Sequence, residues 1–311
     1  MAFISFFARR LFGIMIVVFS VSIFMFILLR SIPGDPARLL AGFDAPPQVV
    51  EQIREKYGLN DPLPIQLIKY LGNLLTFNLG ISIRTDNPVL SEILARLPYT
   101  IYLSIVSLAI AIAVGIPLGA YAALRKDSTL DYLVTAFASL GTAMPTFWLG
   151  LMLIFLFAVQ LKLLPAGGAD SPYSILLPAL TLSISVMSPI VKTTRFTFLE
   201  VMREDFVKLA RAKGLSKNKV IFKHIMRNAM IPVLTVIGLQ LGNLMRGAVI
   251  TETVFAWPGI GRLVVDSIFA RDYPMVQGTI FILALMYALI NLAVDSLYAV
   301  VDPRIRLGGA A

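Results

Sequence analysis

The chain has 311 residues, of which 58% are hydrophobic and only 14% charged, and its formal net charge is +9. Soluble proteins carry about 25% charged residues, so this composition excludes an ordinary soluble domain. The sequence contains no cysteine and a single histidine, His224. Disulfides, a catalytic thiol and a thiolate or multi-histidine metal site are therefore excluded, and we expect no metal.

Several segments hold about twenty apolar residues, the length that crosses a hydrocarbon core of ~30 Å as a helix. Inside lipid such segments must be helical, because every backbone N–H and C=O has to be paired. Pro145 falls inside one segment, where it is expected to kink the helix or mark its start. The sequence thus predicts an all-α membrane protein with six transmembrane helices, at about 11–29, 99–124, 133–161, 175–191, 230–250 and 278–301.

These spans divide the chain into three parts. Residues 1–30 form the N-terminus and first helix, and residues 31–97 form an extracytoplasmic segment with two short amphipathic helices, VVEQIREKYG and PIQLIKYLGNLL. Residues 98–311 form a five-helix core. Within that core we predict a cytoplasmic loop at about 200–228 and an outward loop at about 251–277.

Lysine and arginine in short loops orient the helices, because cytoplasmic loops carry an excess of positive charge. Both termini are therefore predicted to be cytoplasmic, in a prokaryotic inner membrane. The charges that fall on the cytoplasmic side are Arg9, Arg10, Arg125, Lys126, those of residues 205–227, Arg304 and Arg306.

The basic stretch 205–227 reads DFVKLARAKGLSKNKVIFKHIMR. A simple interpretation is a topology determinant that also contacts anionic lipid. Its order favours a helix–turn–helix, because Gly214 can take a left-handed position that ends a helix and Ser216 can cap the next one. Ala210 and Gly214 are four residues apart, so on one helix they would form a small-residue notch for docking. The second helix would carry an apolar stripe of Ile221, Phe222, Ile225 and Met226.

The stretch resembles the cytoplasmic EAA loop of ABC-importer permeases. Gly214 takes the place of the glycine and Ala210 that of the last alanine, whereas Lys208 and Leu209 replace the Glu and the first Ala. ARAKGLS, ending at Ser216, followed by HxxRNA and a proline, is similar to the dipeptide, oligopeptide and nickel branch of that family. PGDPA, GLNDPLPIQ, FAWPGIGRL, ARDYPMVQG and DPRIR resemble the same branch, so the resemblance covers nearly the whole chain.

This resemblance implies a type I importer permease fold and import of dipeptides, oligopeptides or related solutes. It also implies a sister permease, with the translocation path between the two chains, two cytoplasmic ATPase subunits, and a periplasmic or lipid-anchored substrate-binding protein outside. The chain has no G-x-x-x-x-G-K-[ST] motif, so it is expected to be no enzyme and to bind no cofactor, with ATP held by its partners. The residues expected to couple to the ATPase are Lys208, Leu209, Ala210, Arg211, Ala212, Lys213, Gly214, Leu215 and Ser216.

Polar residues within the spans are candidates for function, because charge is costly in lipid. Gln240, Asn243 and Arg246 recur at three-residue intervals and are candidates for lining the path, although Arg246 can also snorkel to the outer interface. Asp295 is expected to pair with Lys192 or Arg195. Trp257 is expected to anchor the chain at the lipid surface.

Two other functions compete with an importer subunit. An ion-coupled secondary transporter uses buried acids and often inverted repeats, but the predicted spans hold one acid, Asp295, and no repeat is found. A membrane enzyme is disfavoured by the absence of a cysteine nucleophile and a histidine cluster. Nucleic acid is not an expected partner, because the basic stretch is a short loop between spans with few aromatic residues.

Overall fold

The computed structural model describes residues 2–31, 36–41, 45–56 and 58–301. Within these ranges the regular secondary structure is helical, apart from one isolated β-bridge between Ile81 and Pro88. The α-helices are α1 (Ala2–Ser31), α2 (Pro36–Ala41), α3 (Pro47–Lys56), α4 (Leu63–Leu75), α5 (Val89–Leu124), α6 (Thr129–Ala143), α7 (Thr146–Leu153), α8 (Leu176–Val201), α9 (Asp205–Ala212), α10 (Lys217–Lys219), α11 (Met226–Val254), α12 (Ile260–Phe269) and α13 (Tyr273–Val301).

Five helical segments of the described chain are long and apolar enough to cross a membrane, and a sixth span arises if one bent pair of helices is counted. This confirms the predicted all-α membrane fold. The five segments are Arg9–Ser31, Val89–Leu124, Pro172–Val201, Lys217–Val254 and Tyr273–Val294.

The predicted span 133–161 is not one straight helix. α6 and the following helical segment, which ends at Gln160, meet at a bend of 110°. The break lies at Met144 and Pro145, whose ψ angles of 130° and 132° are extended. A proline disfavours the helical conformation of the residue before it, so the helix ends there and a new one begins. A π-helix, Ile154–Gln160, then continues α7.

Other helices extend beyond the predicted spans. α5 begins at Val89, ten residues before the predicted start, and the fifth span begins at Lys217 rather than near residue 230. Hydropathy detects only the part of a helix that matches the hydrocarbon core, whereas the backbone hydrogen bonds continue into the polar region. The amphipathic helices predicted in the extracytoplasmic segment are confirmed as α3 and α4.

One compact unit contains Met1–Pro98 and Gly259–Leu289. It therefore combines the N-terminal part of the chain with residues 259–289, which are distant in sequence. Buried apolar residues such as Leu74, Val89 and Ile260 form its core. Asp272 fixes the start of α13, because its carboxylate accepts a hydrogen bond from the Met275 N–H at 3.2 Å and from the Ser82 hydroxyl at 2.5 Å.

The second unit contains Tyr99–Pro258 and the chain from residue 290. α8 lies at its centre and is the most buried of the five spans. Small residues allow neighbouring helices to approach α8 closely: a Cβ on Gly119 would lie 2.6 Å from the carbonyl oxygen of Val191, and one on Gly141 would lie 2.2 Å from the Ser188 hydroxyl. Such small-residue contacts are typical of helix packing in membranes, where van der Waals contact replaces the hydrophobic effect.

Candidate functional site

The predicted helix–turn–helix in the stretch 205–227 is present. α9 ends at Ala212, and Gly214 has φ of +73°, the left-handed conformation that glycine adopts without strain. The N–H of Gly214 donates to the carbonyl of Arg211, and the N–H of Leu215 donates to the carbonyl of Ala210. These two bonds form a Schellman motif, which satisfies the last carbonyls of α9 and fixes the direction of the turn.

The predicted notch of Ala210 and Gly214 is wrong in its geometry. Ala210 is buried against Phe198, Val207 and Val220 in the second unit's own core, whereas a Cβ on Gly214 would meet nothing within 4 Å. The periodicity argument assumed one continuous helix through both residues, but α9 ends between them. The small side chain of Ala210 therefore lets α9 pack onto its own chain. Other residues form the solvent-exposed face of α9.

The solvent-exposed face of α9 combines apolar and basic side chains. Phe206 is 41% exposed and Leu209 is 56% exposed, and both lie beside the exposed Lys208 and Arg211. The Lys208 Nζ lies 2.8 Å from the Asp205 carboxylate, and this hydrogen bond lowers the pKa of Asp205. We call the exposed residues Phe206, Lys208, Leu209, Arg211, Ala212, Lys213 and Gly214 the α9 surface; clustered exposed apolar groups with a polar rim mark interaction sites.

The helix after the turn differs from the predicted amphipathic stripe. Ser216 occupies the N-cap position, but its side chain makes no capping hydrogen bond. A π-helix, Val220–Ile225, separates α10 from α11 and adds one residue to a turn. Val220 and Ile225 are consequently buried, whereas Phe222, predicted to lie on the apolar stripe, is 65% exposed.

The three path-lining candidates on α11 are joined by hydrogen bonds. The Asn243 amide donates to the Gln240 side-chain oxygen at 2.9 Å, and Arg246 donates to the Asn243 side-chain oxygen. Gln240 is buried and Arg246 is exposed. The i, i+3 spacing therefore aligns the three side chains in a ladder along one helix face. Their role in lining a path stays a prediction.

Besides Asp272, two buried acids in the second unit escaped the sequence analysis. Asp131 on α6 is 1% exposed and forms a bidentate pair with Arg195 on α8, at 2.5 and 2.7 Å. Glu252 on α11 is fully buried and accepts a hydrogen bond from the Thr100 hydroxyl at 2.6 Å. Both acids lie two residues outside a predicted span and were assigned to loops. The side chain of Asp295, expected to pair with Lys192 or Arg195, lies outside the part that the structure describes.

Trp257 is not the lipid-surface anchor that its position predicted. It is 4% exposed, its indole N–H donates to the Tyr99 carbonyl at 3.1 Å, and the two rings pack edge to face. Nearby, the N–H of Gly168 donates to the Phe255 carbonyl at 2.8 Å. The loop that contains Gly168 and the first half of α5, at Tyr99, are therefore both hydrogen-bonded to the segment that follows α11. The described residues contain no group of His, Asp and Glu side chains suited to a metal ion.

Two protein-family models match the chain. One, the binding-protein-dependent transport system inner membrane component, matches residues 115–307, and the N-terminal membrane component of the same systems matches residues 3–104. The chain belongs to this permease family. It is the inner-membrane permease subunit of a binding-protein-dependent ABC importer, and the ion-coupled alternative is not favoured.

The sequence matches between this permease and its curated relatives cover nearly its whole length. It is 44% identical over 298 residues to the glutathione transport system permease protein GsiC of Escherichia coli O6:H1 strain CFT073, and 43% identical to GsiC of Escherichia coli strain K12; in both cases the match covers 96% of this chain and 97% of the relative. Its fold is similar to that of a chain from the inward-facing MetNI methionine ABC transporter, with a TM-score of 0.59 and 16% sequence identity over 69% of this permease and 98% of that chain.

Proposed function

We propose that the permease receives ATP-driven motion from two cytoplasmic ATPase subunits through the α9 surface. One observation carries this proposal: α9 is attached to its own chain through buried Val207 and Ala210, while Phe206 and Leu209 remain exposed beside basic side chains. A helix that only needed positive charge for topology would not expose two large apolar residues outside the membrane spans. Because about half of each side chain is still exposed, burying them against a partner would contribute about 0.7–1.5 kcal/mol each.

The turn at Gly214 gives this docking surface a fixed shape. Its Schellman bonds hold α9 at a defined angle to the helix that begins at Lys217 and continues through α11 to Val254. Motion of the docked helix would therefore be passed to α11 rather than lost in a flexible loop. In this proposal the permease contributes no chemistry to ATP hydrolysis, and both of its termini are cytoplasmic.

For the substrate, we propose glutathione or other short peptides, including dipeptides and oligopeptides. Support comes from the two glutathione permeases to which the chain is 43–44% identical over nearly its full length. The ladder of Gln240, Asn243 and Arg246 suits such a cargo, because a guanidinium binds carboxylates in a bidentate manner and amides bond to a peptide backbone. A sister permease would provide the opposite wall, and a binding protein would deliver the peptide from outside.

Co-purification tests the assembly. The permease should be isolated from membranes in detergent and every accompanying polypeptide identified. We expect a P-loop ATPase, a second permease and a substrate-binding protein. Recovery of the chain alone, together with gradient-driven uptake that needs no ATP, would refute the proposal.

Substitution of Leu209 tests the docking surface. Leu209→Glu places a charge in the proposed interface, so ATPase association and substrate-stimulated hydrolysis should be lost. Leu63→Glu is the matched control, because Leu63 is 59% exposed but lies on α4. Gly214→Glu should act like Leu209→Glu, since its side chain would project from the turn. Normal ATPase association in both Leu209→Glu and Gly214→Glu would refute docking at the α9 surface.

A further inference from the structure

A cavity of about 230 Å³ lies within the first compact unit. Its walls come from the end of α1, from α4, from residues 78–83 and from the start of α13. The polar lining consists of one arginine, one lysine, two tyrosines and several side-chain amides, and apolar residues, mainly leucine and isoleucine, form the rest. None of these residues belongs to the α9 surface or to the ladder on α11, so the function proposed above does not explain this cavity.

Arg30, at the end of α1, is the best-positioned group in the cavity wall. Its Nε and one Nη donate to the Gln66 side-chain oxygen at 3.0 and 2.8 Å, and its guanidinium lies 3.5 Å from the Phe26 ring centroid. The Gln66 amide is fixed in turn, because its nitrogen donates to the carbonyls of Leu59 and Asp61 at 3.1 and 2.8 Å. The guanidinium is therefore fixed in the absence of a ligand: the Phe26 ring covers one face and the Gln66 oxygen binds one edge.

This arginine keeps unused binding capacity. A guanidinium has five N–H donors, of which Gln66 takes two, and no acid among the described residues pairs with it. The other cation of the cavity wall, Lys69, is already neutralised by Asp61 at 2.6 Å. The cavity therefore has a net charge of one positive unit from these three groups, which matches a monoanion better than a dianion.

Tyr70 provides a second polar group without a protein partner. Its hydroxyl is buried and makes no hydrogen bond of ordinary geometry with a described residue; Ser22 lies beside it but donates to the Val18 carbonyl. Burial raises the pKa of Tyr70 to about 12, so the phenol stays protonated and able to donate. Leaving a buried hydroxyl unpaired is unfavourable, and a bound ligand that accepts a hydrogen bond from it would remove this penalty.

We propose that this cavity binds a small organic monocarboxylate of amino-acid or dipeptide size, with its carboxylate on Arg30. The size limit follows from the volume, which is below the roughly 300–1,000 Å³ of drug-sized pockets. Amides of Asn73, Asn78 and Gln277 can pair with a peptide group, and the apolar wall can cover an aliphatic side chain. We distinguish this site from the proposed translocation path, because none of its lining residues belongs to the ladder on α11.

Binding of tritiated leucylglycine to the full chain in phosphatidylcholine nanodiscs tests the proposal. Unlabelled leucylglycine should compete, and N-acetyl-leucylglycine, a true monoanion, should compete at least tenfold better than its uncharged amide, which lacks the carboxylate. Arg30→Gln should weaken binding at least tenfold. Arg84→Gln, an exposed arginine of the same unit outside the cavity wall, should change it less than twofold. Asn73→Phe should also abolish binding, because the larger side chain fills the cavity while leaving Arg30 in place. This variant tests the proposal if Arg30→Gln does not fold.

Two results would overturn the inference. Absence of saturable binding to the wild-type chain, or equal competition by the acetylated peptide and its amide, would show that the cavity does not recognise a carboxylate. Loss of binding when the nanodiscs contain phosphatidylglycerol would assign Arg30 to a lipid phosphodiester, which is also a monoanion, and would exclude the small-molecule site.

Discussion

The bidentate pair of Asp131 and Arg195 offers a direct test of what holds the second unit together. Asp131→Asn keeps the shape of the side chain but removes the negative charge, leaving the guanidinium without its counter-ion. Breaking a buried pair by removing one partner costs about 3–5 kcal/mol. The Arg195 side chain is 28% exposed. Because water reaches it, we expect the free energy of unfolding to fall by only about 2–3 kcal/mol.

Thermal unfolding of the purified chain in detergent, followed by tryptophan fluorescence, would measure this loss. For a chain of this size we expect Tm to fall by roughly 3–5 °C. Asp127→Asn is the control, because the Asp127 side chain is 67% exposed and its contact with Lys126 spans 3.5 Å. Asparagine also tolerates its φ of +62°. An exposed pair contributes at most about 1 kcal/mol, so the control should change Tm by no more than about 1.5 °C.

A double variant separates the pair from other effects of the substitution. If Asp131 and Arg195 act together, adding Arg195→Gln to Asp131→Asn should cost clearly less than Arg195→Gln costs in the wild-type chain. Equal Tm values for Asp131→Asn and Asp127→Asn would refute the reasoning, as would strictly additive losses in the double variant.

Three further predictions use the same fluorescence measurement or the ATPase assay. Gly167→Ala should lower Tm, because its Cβ would lie 2.2 Å from the Phe255 carbonyl oxygen, whereas Gly72→Ala, with nothing within 4 Å, should not; equal effects would refute the close approach. Tyr70→Phe should leave Tm unchanged or raise it, since it removes a buried hydroxyl without a partner; a clear fall would show that the hydroxyl is bonded. In the assembled complex, Gly214→Asn should retain more substrate-stimulated ATP hydrolysis than Gly214→Val, because asparagine tolerates a left-handed φ and valine does not; the reverse order would show that the turn conformation is unimportant.

Local features of this permease were predictable from the sequence, and long-range ones were not. The turn at Gly214 follows from glycine's tolerance of positive φ, and α3 and α4 follow from the amphipathic pattern of residues close in the chain. The prediction that Ala210 shares an exposed helix face with Gly214 was wrong, because helical periodicity holds only within one helix. The burial of Trp257 depends on Tyr99, 158 residues earlier, a contact that no local pattern encodes.

The buried acids illustrate the same limit in the candidate site. Asp131 and Glu252 lie just beyond the apolar runs that define spans, so hydropathy assigned them to loops. Each accepts a hydrogen bond from a residue on a distant helix, Arg195 or Thr100, which compensates in part for the burial of its carboxylate. A search for acids within a few residues of each span end would have found both, but not their partners.

The unbroken helical segment Lys217–Val254 has 38 residues. At 1.5 Å per residue it is about 57 Å long, nearly twice the ~30 Å hydrocarbon thickness. One end adjoins the Gly214 turn, and the other carries Glu252 and its bond to Thr100. Such a segment is a lever: if it pivots at Lys217, a tilt of about 5° moves Val254 by about 5 Å. A displacement of that size exceeds the length of a hydrogen bond, so a small rotation at the Lys217 end is enough to exchange the contacts made at the Val254 end.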